Sequence, residues 1–179
     1  MSNDYCRKAC GNVPTTFAAS LAYPPVCICG EDPRYARMML DNVGGANSEM
    51  SAVSLYFYNH LITESCPELA GVFHGISIVE MHHLSIFGEL TEKLGENPRL
   101  WSYKGNRRTY WTPGYNNYPM DLKPMLVNSL NGEKSAIQKY EQQICQIKDH
   151  CITDNLERII ADEKLHVCIF EELLEKYCS

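Results

Sequence analysis

The chain contains no long hydrophobic run, no cluster of basic residues and no C-x-x-C motif. A helix that crosses a bilayer needs about 20 consecutive apolar residues, so the first absence argues against an integral membrane protein. The net charge of -6, with Lys and Arg dispersed, argues against nucleic-acid or anionic-membrane partners. The polar amino terminus does not resemble a signal peptide, and we expect a cytoplasmic location. A length of 179 residues with 45% hydrophobic content is typical of a globular protein with one main core.

Nine cysteines are a high and odd number. A secreted disulfide framework usually has an even count in a loop-rich chain, whereas most of this chain is predicted to be helical. Reduced cysteine behaves as a small hydrophobe, so we expect free thiols in a reducing compartment. Four thiolates near the amino terminus offer an alternative, a zinc or iron site, but their spacing is not the usual paired C-x2-C. These four are Cys6, Cys10, Cys27 and Cys29.

Helical periodicity begins after an amino-terminal segment rich in proline and glycine. Residues 1–31 are predicted to form an irregular arm, and 32–179 a helical bundle. Asp32 followed by Pro33 is typical of a helix start, and helix one is predicted to extend to about Thr63. The pair Gly44-Gly45 is a weak point at which this helix could bend.

Three further helices follow. Capping-box patterns that begin at Ser65 and Asp154 predict the starts of helices two and four, which extend to about residues 94 and 177. Helix three is predicted over about 121–149, with Asp121 at its start. Apolar residues recur every three or four positions along helices two and four, as expected for buried helix faces.

The segment 96–120, between helices two and three, is predicted to be a long crossover loop. Short links join helix one to two and helix three to four, so each pair forms an antiparallel hairpin. The crossover then has to travel the length of the bundle before the second hairpin begins. The predicted fold is therefore all-α, a four-helix bundle with one long crossover. Six Trp and Tyr residues within 101–118 predict that this segment is buried on the bundle or in a homodimer contact.

The sequence contains an internal repeat. The pattern E-x-x-A-(V/I)-x-x-Y begins at Glu49 and again at Glu133, and E-x-x-H follows 31 and 30 residues later. Positions i and i+3 of a helix face the same way, so each E-x-x-H can offer an oxygen and a nitrogen to one metal. One Glu from each of two helices and E-x-x-H from each of the other two form the ligand set of a two-metal carboxylate centre. The six candidate ligands, which are also the candidate catalytic residues, are Glu49, Glu80, His83, Glu133, Glu163 and His166.

Charge supports a metal centre. Four ionised carboxylates would be very costly to bury alone, whereas two divalent cations would balance them. Mixed oxygen and nitrogen ligands suit iron or manganese. Glu49 and Glu133 are expected to supply the remaining or bridging carboxylates. Tyr56 and Tyr140, each seven residues after its glutamate, are predicted to donate hydrogen bonds to these carboxylates, with simple core packing as the alternative.

A single E-x-x-H usually lies on a solvated helix face, and only its repetition raises it to a site prediction. Other acidic and histidine residues lack a matching partner, point away from the predicted ligand face or, in the case of His60, lie about 16 Å along the helix axis, too far to reach the same metals. Those predicted not to bind the metals are Glu141, His60, His74, His82 and His150.

These motifs resemble the ferritin-like superfamily, specifically rubrerythrin and bacterioferritin-like proteins, with manganese catalases as a more distant likeness. The resemblance rests on residues 48–52, 80–83, 133–137 and 162–166. It implies a dimetal site, held by the six candidate ligands, and redox chemistry on hydrogen peroxide or dioxygen. Rubrerythrins usually carry a rubredoxin-type domain and an extra glutamate where this chain has Ala136. We therefore expect rubrerythrin-like chemistry without a rubredoxin domain, with an external electron donor.

The leading hypothesis is an oxidoreductase with two iron ions that acts on hydrogen peroxide or dioxygen. Manganese, or a mixed iron and manganese pair, is the alternative cofactor. A ferroxidase or iron-handling protein would use the same ligands. A non-enzymatic structural or coat-layer protein with a vestigial metal site is the third hypothesis.

Overall fold

The computed structural model describes residues 16–178, which form five α-helices and one β-hairpin. The elements in chain order are α1 (Pro33–Gly44), α2 (Glu49–Ile62), α3 (Pro67–Lys93), β1 (Trp101–Lys104), β2 (Arg107–Tyr110), α4 (Leu122–Gln146) and α5 (His150–Cys178).

The predicted helix one is two helices. α1 begins after Asp32, whose side chain accepts a hydrogen bond from the Arg34 N–H, and it ends at Gly44. The chain re-enters a helix at Glu49, with Ser48 as the N-cap. A Cβ on Gly44 would lie 2.4 Å from the backbone nitrogen of Trp101. Glycine at this position therefore lets the β-hairpin approach α1. The helix that was expected to bend at Gly44-Gly45 is interrupted there instead.

The two helix starts predicted from capping boxes differ in accuracy. α3 begins at Pro67 with Cys66 as its N-cap, one residue after the predicted cap at Ser65. α5 begins at His150, four residues before the predicted start at Asp154. The Asp149 carboxylate accepts a hydrogen bond of 3.0 Å from the Cys151 N–H, and this aspartate caps the helix.

The long crossover contains a β-hairpin that the sequence did not predict. β1 and β2 form an antiparallel hairpin in which Trp101 pairs with Tyr110, and Gly105 in the two-residue turn has a φ of +63°. Trp101 is buried, and the Trp111 indole N–H donates to the Ser51 hydroxyl of α2 at 3.0 Å. The crossover therefore packs on the bundle, although Tyr110 remains exposed.

The predicted architecture of two antiparallel hairpins, α2–α3 and α4–α5, is confirmed. Their apolar residues form two separate clusters, one around Phe87 and Ile159 and the other around Phe73 and Phe170. The candidate ligands of α3 and α5 lie in sequence between these pairs, so a polar layer separates two apolar halves of the core. None of the helices in the described residues combines the length and apolar character required of a membrane span.

Residues 16–31 lie along α5 in the opposite direction without forming a helix or strand. The Phe17 carbonyl contacts His166 near one end, and the Cys29 N–H donates to Asp149 at the other. Between them, a disulfide joins Cys27 to Cys151. The expectation that every cysteine is a free thiol is therefore wrong. Cys6 and Cys10, the other half of the predicted amino-terminal quartet, lie outside the described residues.

Candidate metal centre

Six buried side chains from four helices meet at the middle of the bundle. Glu49 is the first residue of α2, Glu133 lies in the middle of α4, and an E-x-x-H lies in the middle of both α3 and α5. None of the six is more than 2% exposed. They form two groups, within each of which one donor atom per residue lies within 4.8 Å of the others. The first group is Glu49, Glu80, His83 and Glu163, and the second is Glu80, Glu133, Glu163 and His166.

Glu80 and Glu163 belong to both groups. The two oxygens of Glu163 lie 3.3 Å from His83 Nδ1 and 3.1 Å from His166 Nδ1. Glu80 repeats this arrangement, at 3.3 Å and 3.1 Å from the same two nitrogens. These two carboxylates therefore occupy the bridging positions between the groups.

Glu49 and Glu133 each lie on one side of the centre. Glu49 is 3.9 Å from His83 Nδ1, and Glu133 is 3.8 Å from His166 Nδ1. Each faces a single histidine, and we call this a terminal position. The sequence left their role open between remaining and bridging ligands, and the structure places the E-x-x-H glutamates, not these two, between the histidines.

The two tyrosines connect the repeats. The Tyr56 hydroxyl donates to Glu133, and the Tyr140 hydroxyl donates to Glu49. Each tyrosine thus serves the glutamate of the other repeat, because a residue seven positions along a helix is about 10 Å from its start. α2 and α4 run in opposite directions here, which brings the end of each eight-residue motif to the start of the other.

The two histidines present Nδ1 to the centre and Nε2 away from it, and their outer partners differ. His83 Nε2 lies 3.0 Å from Asp162 Oδ2, whereas His166 Nε2 lies 2.9 Å from the Phe17 carbonyl oxygen. Partners of this kind fix the orientation and tautomer of a metal-binding imidazole.

Asp162 is itself held by several donors. Arg158 Nη1 lies 2.6 Å from Asp162 Oδ1, and the Tyr23 hydroxyl donates to Oδ2 at 2.6 Å. The Ala19 N–H completes this set, at 2.6 Å from Oδ1. Burial by itself would raise the pKa of Asp162, but the hydrogen bonds from His83, Arg158 and Tyr23 hold it well below its usual range. The aspartate is therefore a fixed negative charge behind His83.

Burial and the neighbouring groups shift the pKa of Glu49, Glu133, His83 and His166. Burial and the neighbouring charges of Glu80 and Glu163 raise the pKa of Glu49 well above its ordinary value, and the same causes raise that of Glu133. Burial would lower the pKa of His83 and His166, but hydrogen bonds to the surrounding carboxylates raise both. Protons thus supply the positive charge that the carboxylates require in the absence of a cation.

The residues fit a pair of metal ions. Glu80 Oε1 is buried and accepts no well-aligned hydrogen bond from the described part of the chain. A single imidazole nitrogen cannot satisfy the three carboxylate oxygens that surround it, whereas a cation can be bound by all of them. Four carboxylates and two imidazoles are donors that iron and manganese accept.

An open cavity of about 410 Å³ reaches this centre from the side of α2 and α4. Its inner wall contains the four carboxylates and both tyrosine hydroxyls. Its outer wall is mostly small or amide-bearing, including Asn116, Asn131 and Ala136. A small polar molecule can therefore approach the carboxylates without rearrangement of the bundle.

Sequence reasoning identified the six inner residues and the tyrosines but missed the outer partners of the histidines. Asp162 directly precedes Glu163, and an acidic residue there was the one available signal. The Phe17 carbonyl gave none. Among the residues predicted not to bind the metals, Glu141 is exposed beside Lys164, and His82 packs against the Tyr23 ring.

Comparison with known proteins is consistent with this geometry. The family model described as Rubrerythrin matches residues 45–174. A protein named probable manganese catalase from Clostridium acetobutylicum is 25% identical over 167 residues, which cover 82% of this chain and 72% of the relative.

Two solved structures are similar to this chain over most of its length. A manganese catalase from Anabaena is similar with a TM-score of 0.79 and 25% identity, over 90% of this chain and 81% of that one. A bacterioferritin from Mycobacterium tuberculosis has a TM-score of 0.63 and 23% identity, over 82% of this chain and 87% of that one. The second likeness concerns the fold alone, and together the two matches confirm the predicted ferritin-like bundle.

Proposed function

This chain belongs to the rubrerythrin family, and from that premise we propose that it is a two-metal carboxylate oxidoreductase that consumes hydrogen peroxide. One observation carries the proposal: four buried carboxylates and two buried imidazoles surround one centre, and an open cavity leads to it. The two manganese catalases that match most of the chain support peroxide as the substrate.

Manganese is the metal that we propose. The donor set accepts either manganese or iron, so the choice rests on the two relatives that are named manganese catalases. Iron, which the resemblance to rubrerythrin led us to expect, is the alternative that metal analysis would distinguish.

The proposed ligands are Glu49 and His83 at one metal, Glu133 and His166 at the other, and Glu80 and Glu163 across both. A bound pair of redox-active metals would take up two electrons from one peroxide molecule and return them to another. The protein groups hold the reactants in place. Asp162 and the Phe17 carbonyl orient the histidines, and the tyrosine hydroxyls hold the terminal glutamates.

The cavity selects by size and polarity. Ala136 lines it at the position where rubrerythrins usually carry an extra glutamate, so this side of the centre is left open. Asn116 and Asn131 line the same space and offer amide groups to a small polar molecule. Peroxide is small enough to enter, whereas a large organic substrate would have to displace the crossover.

The test is metal content followed by peroxide consumption. Protein produced with manganese or with iron is expected to hold two ions per chain. Oxygen release without a reductant would indicate disproportionation, and dependence on a reductant would indicate a peroxidase. Glu141→Gln, on an exposed face of α4, is the control for substitutions of the proposed ligand glutamates. It is expected to bind metal and consume peroxide as the unmodified protein does.

Two results would contradict the proposal. One is a protein that binds fewer than two ions per chain whether manganese or iron is supplied. The other is metal-loaded protein that consumes no peroxide with or without a reductant. Rapid oxidation of added ferrous iron by dioxygen, in protein inactive towards peroxide, would indicate a ferroxidase instead.

A further inference from the structure

A second cluster of metal-binding side chains lies at the start of α5, apart from the carboxylate centre. Donor atoms of Cys29, His150 and Cys151 all lie within 4.8 Å of one another. The Cys29 sulfur is 3.4 Å from His150 Nδ1. Cys27 is bonded to Cys151, so three sulfurs and one imidazole share this place.

We infer that, when the Cys27–Cys151 disulfide is reduced, Cys27, Cys29, Cys151 and His150 bind one zinc ion in a tetrahedral site. Zinc lies about 2.3 Å from a thiolate and about 2.0 Å from an imidazole nitrogen, so two such tetrahedral ligands stand about 3.5 Å apart. The separation of Cys29 Sγ and His150 Nδ1 already matches this value. Cys151 Sγ lies 4.0 Å from Nε2 of the same ring, so the ring or this thiol turns when the metal binds through Nδ1. Three cysteines and one histidine form a common structural zinc set.

The backbone that carries these residues is held independently of the disulfide. The Asp149 carboxylate accepts hydrogen bonds from the Cys29 N–H at 2.6 Å and from the Cys151 N–H at 3.0 Å. Nearby, the Asn155 amide donates to the Pro25 carbonyl at 3.2 Å. These contacts keep the arm on α5 after the sulfur–sulfur bond is broken, so all four donors remain together.

The site is accessible and carries a favourable charge. Cys29 and His150 are exposed, so a metal ion can enter from solvent. The Asp149 carboxylate lies beside Cys29, whose backbone N–H donates to it at 2.6 Å. The same negative charge favours a cation beside the sulfur.

Formation of the zinc site requires a reductant for the Cys27–Cys151 disulfide. A dithiol gives two electrons and two protons to the Cys27–Cys151 bond and becomes a disulfide itself. Zinc then replaces the protons of the three thiols, which are released to solvent. The disulfide and the complete zinc site therefore exclude each other.

This site is separate from the carboxylate centre. Cys151 and Glu163 are twelve residues apart on α5, or about 18 Å along the helix axis. The ligands also differ, because thiolates favour zinc whereas carboxylates favour harder ions. The inference consequently does not depend on the proposed peroxide chemistry.

Cobalt(II) is a suitable probe, because thiolate ligands give it strong near-ultraviolet charge-transfer absorption and carboxylates do not. The full chain, reduced with a phosphine and titrated with cobalt, is expected to show this absorption at one ion per chain. The oxidised protein is expected to lack it, and added zinc is expected to abolish it. Cobalt bound at the carboxylate centre does not contribute to this signal.

Variants identify the ligands. Cys29→Ser and His150→Ala are each expected to weaken cobalt binding at this site by more than about tenfold, since loss of a supporting contact alone costs about tenfold or more. Both positions are exposed, so both variants should fold. Cys168→Ser, an exposed free cysteine elsewhere on α5, is the matched control and is expected to leave the signal unchanged.

Absence of thiolate absorption in the reduced protein would overturn the inference. The same holds if the signal persists at full affinity in both Cys29→Ser and His150→Ala, since other thiols would then bind the metal. Absorption of equal strength in the oxidised protein would also contradict it, because the disulfide leaves only one of the three sulfurs as a thiol.

Discussion

The two halves of the candidate metal centre are nearly identical inside and different outside. Around the centre, each half contributes one terminal glutamate, one bridging glutamate and one histidine at matching distances. Behind the histidines, one half uses the ion-paired Asp162 and the other a neutral backbone carbonyl of Phe17. The inner symmetry follows from the sequence repeat. The outer asymmetry arises because the single arm along α5 gives His166 a backbone carbonyl, whereas the partner of His83 is Asp162 of α5, which the arm in turn holds through Ala19 and Tyr23.

This difference has a chemical consequence. A carboxylate behind an imidazole makes the ring a stronger electron donor than a carbonyl does. We therefore expect the two metal positions to differ in affinity, with the position at His83 the tighter one. Four predictions test this comparison, in order of decreasing expected effect.

The largest effect is expected from a bridging glutamate compared with a terminal one. Glu163→Gln removes a charge that faces both histidines, so both metals should be lost, with affinity more than about 100-fold lower. Glu133→Gln faces only His166 and should leave one ion per chain. Metal content after dialysis measures both. Equal loss in the two variants would contradict the assignment of bridging and terminal positions.

Asp162→Asn tests the outer partner of His83. Removing this charge is expected to weaken metal binding at the His83 position by about 10- to 100-fold, with a smaller effect at the His166 position. It also leaves buried Arg158 without its carboxylate, which should destabilise the metal-free protein by about 3 kcal/mol. Metal titration and denaturant unfolding measure the two effects.

The paired variant Arg158→Met separates these effects. It removes the buried cation but keeps the aspartate behind His83, so it should destabilise the protein with less effect on metal affinity. If both variants lower metal affinity equally, the aspartate acts through stability alone.

Gly75→Ala tests the outer partner of His166, which is the Phe17 carbonyl oxygen. A Cβ on Gly75 would lie 2.2 Å from the Phe17 ring, so the ring must shift. We expect this shift to displace the Phe17 carbonyl oxygen from His166. Overpacking of this kind costs about 1–3 kcal/mol. Metal binding at the His166 position should weaken, but by less than Asp162→Asn weakens the His83 position. Gly88→Ala, on the same helix with nothing within 4 Å of its Cβ, is the control.

The smallest effect should come from the tyrosines, where the two halves are equivalent. Tyr56→Phe and Tyr140→Phe each remove one buried hydrogen bond to a terminal glutamate. Each is expected to lower the free energy of unfolding by about 1–2 kcal/mol, by the same amount within error. Tyr110→Phe, on the exposed face of the hairpin, is the control. A clear difference in stability between the two variants would show that the asymmetry extends to the tyrosines that hold the terminal glutamates.

Local sequence signals predicted much of the fold, but their accuracy varied with the kind of signal. The apolar periodicity that surrounds Glu80 and Glu163 located α3 and α5, since a buried face repeats over many turns. Single capping patterns were less reliable. Asp154 matches a capping box, yet α5 begins earlier because Asp149 caps it while also holding the Cys29 backbone. The hairpin in the crossover was missed because its two four-residue strands are too short to establish a period.

The sequence alone determined that six acidic and histidine side chains share a buried layer, because a repeated motif fixes which helix faces coincide. Only the tertiary structure decided which glutamates bridge, that each tyrosine serves the opposite repeat, and that Asp162 and the Phe17 carbonyl hold the histidines. It also decided that Cys27 forms a disulfide with Cys151. These pairings join residues more than 70 positions apart, and only the packing of whole elements sets such distances.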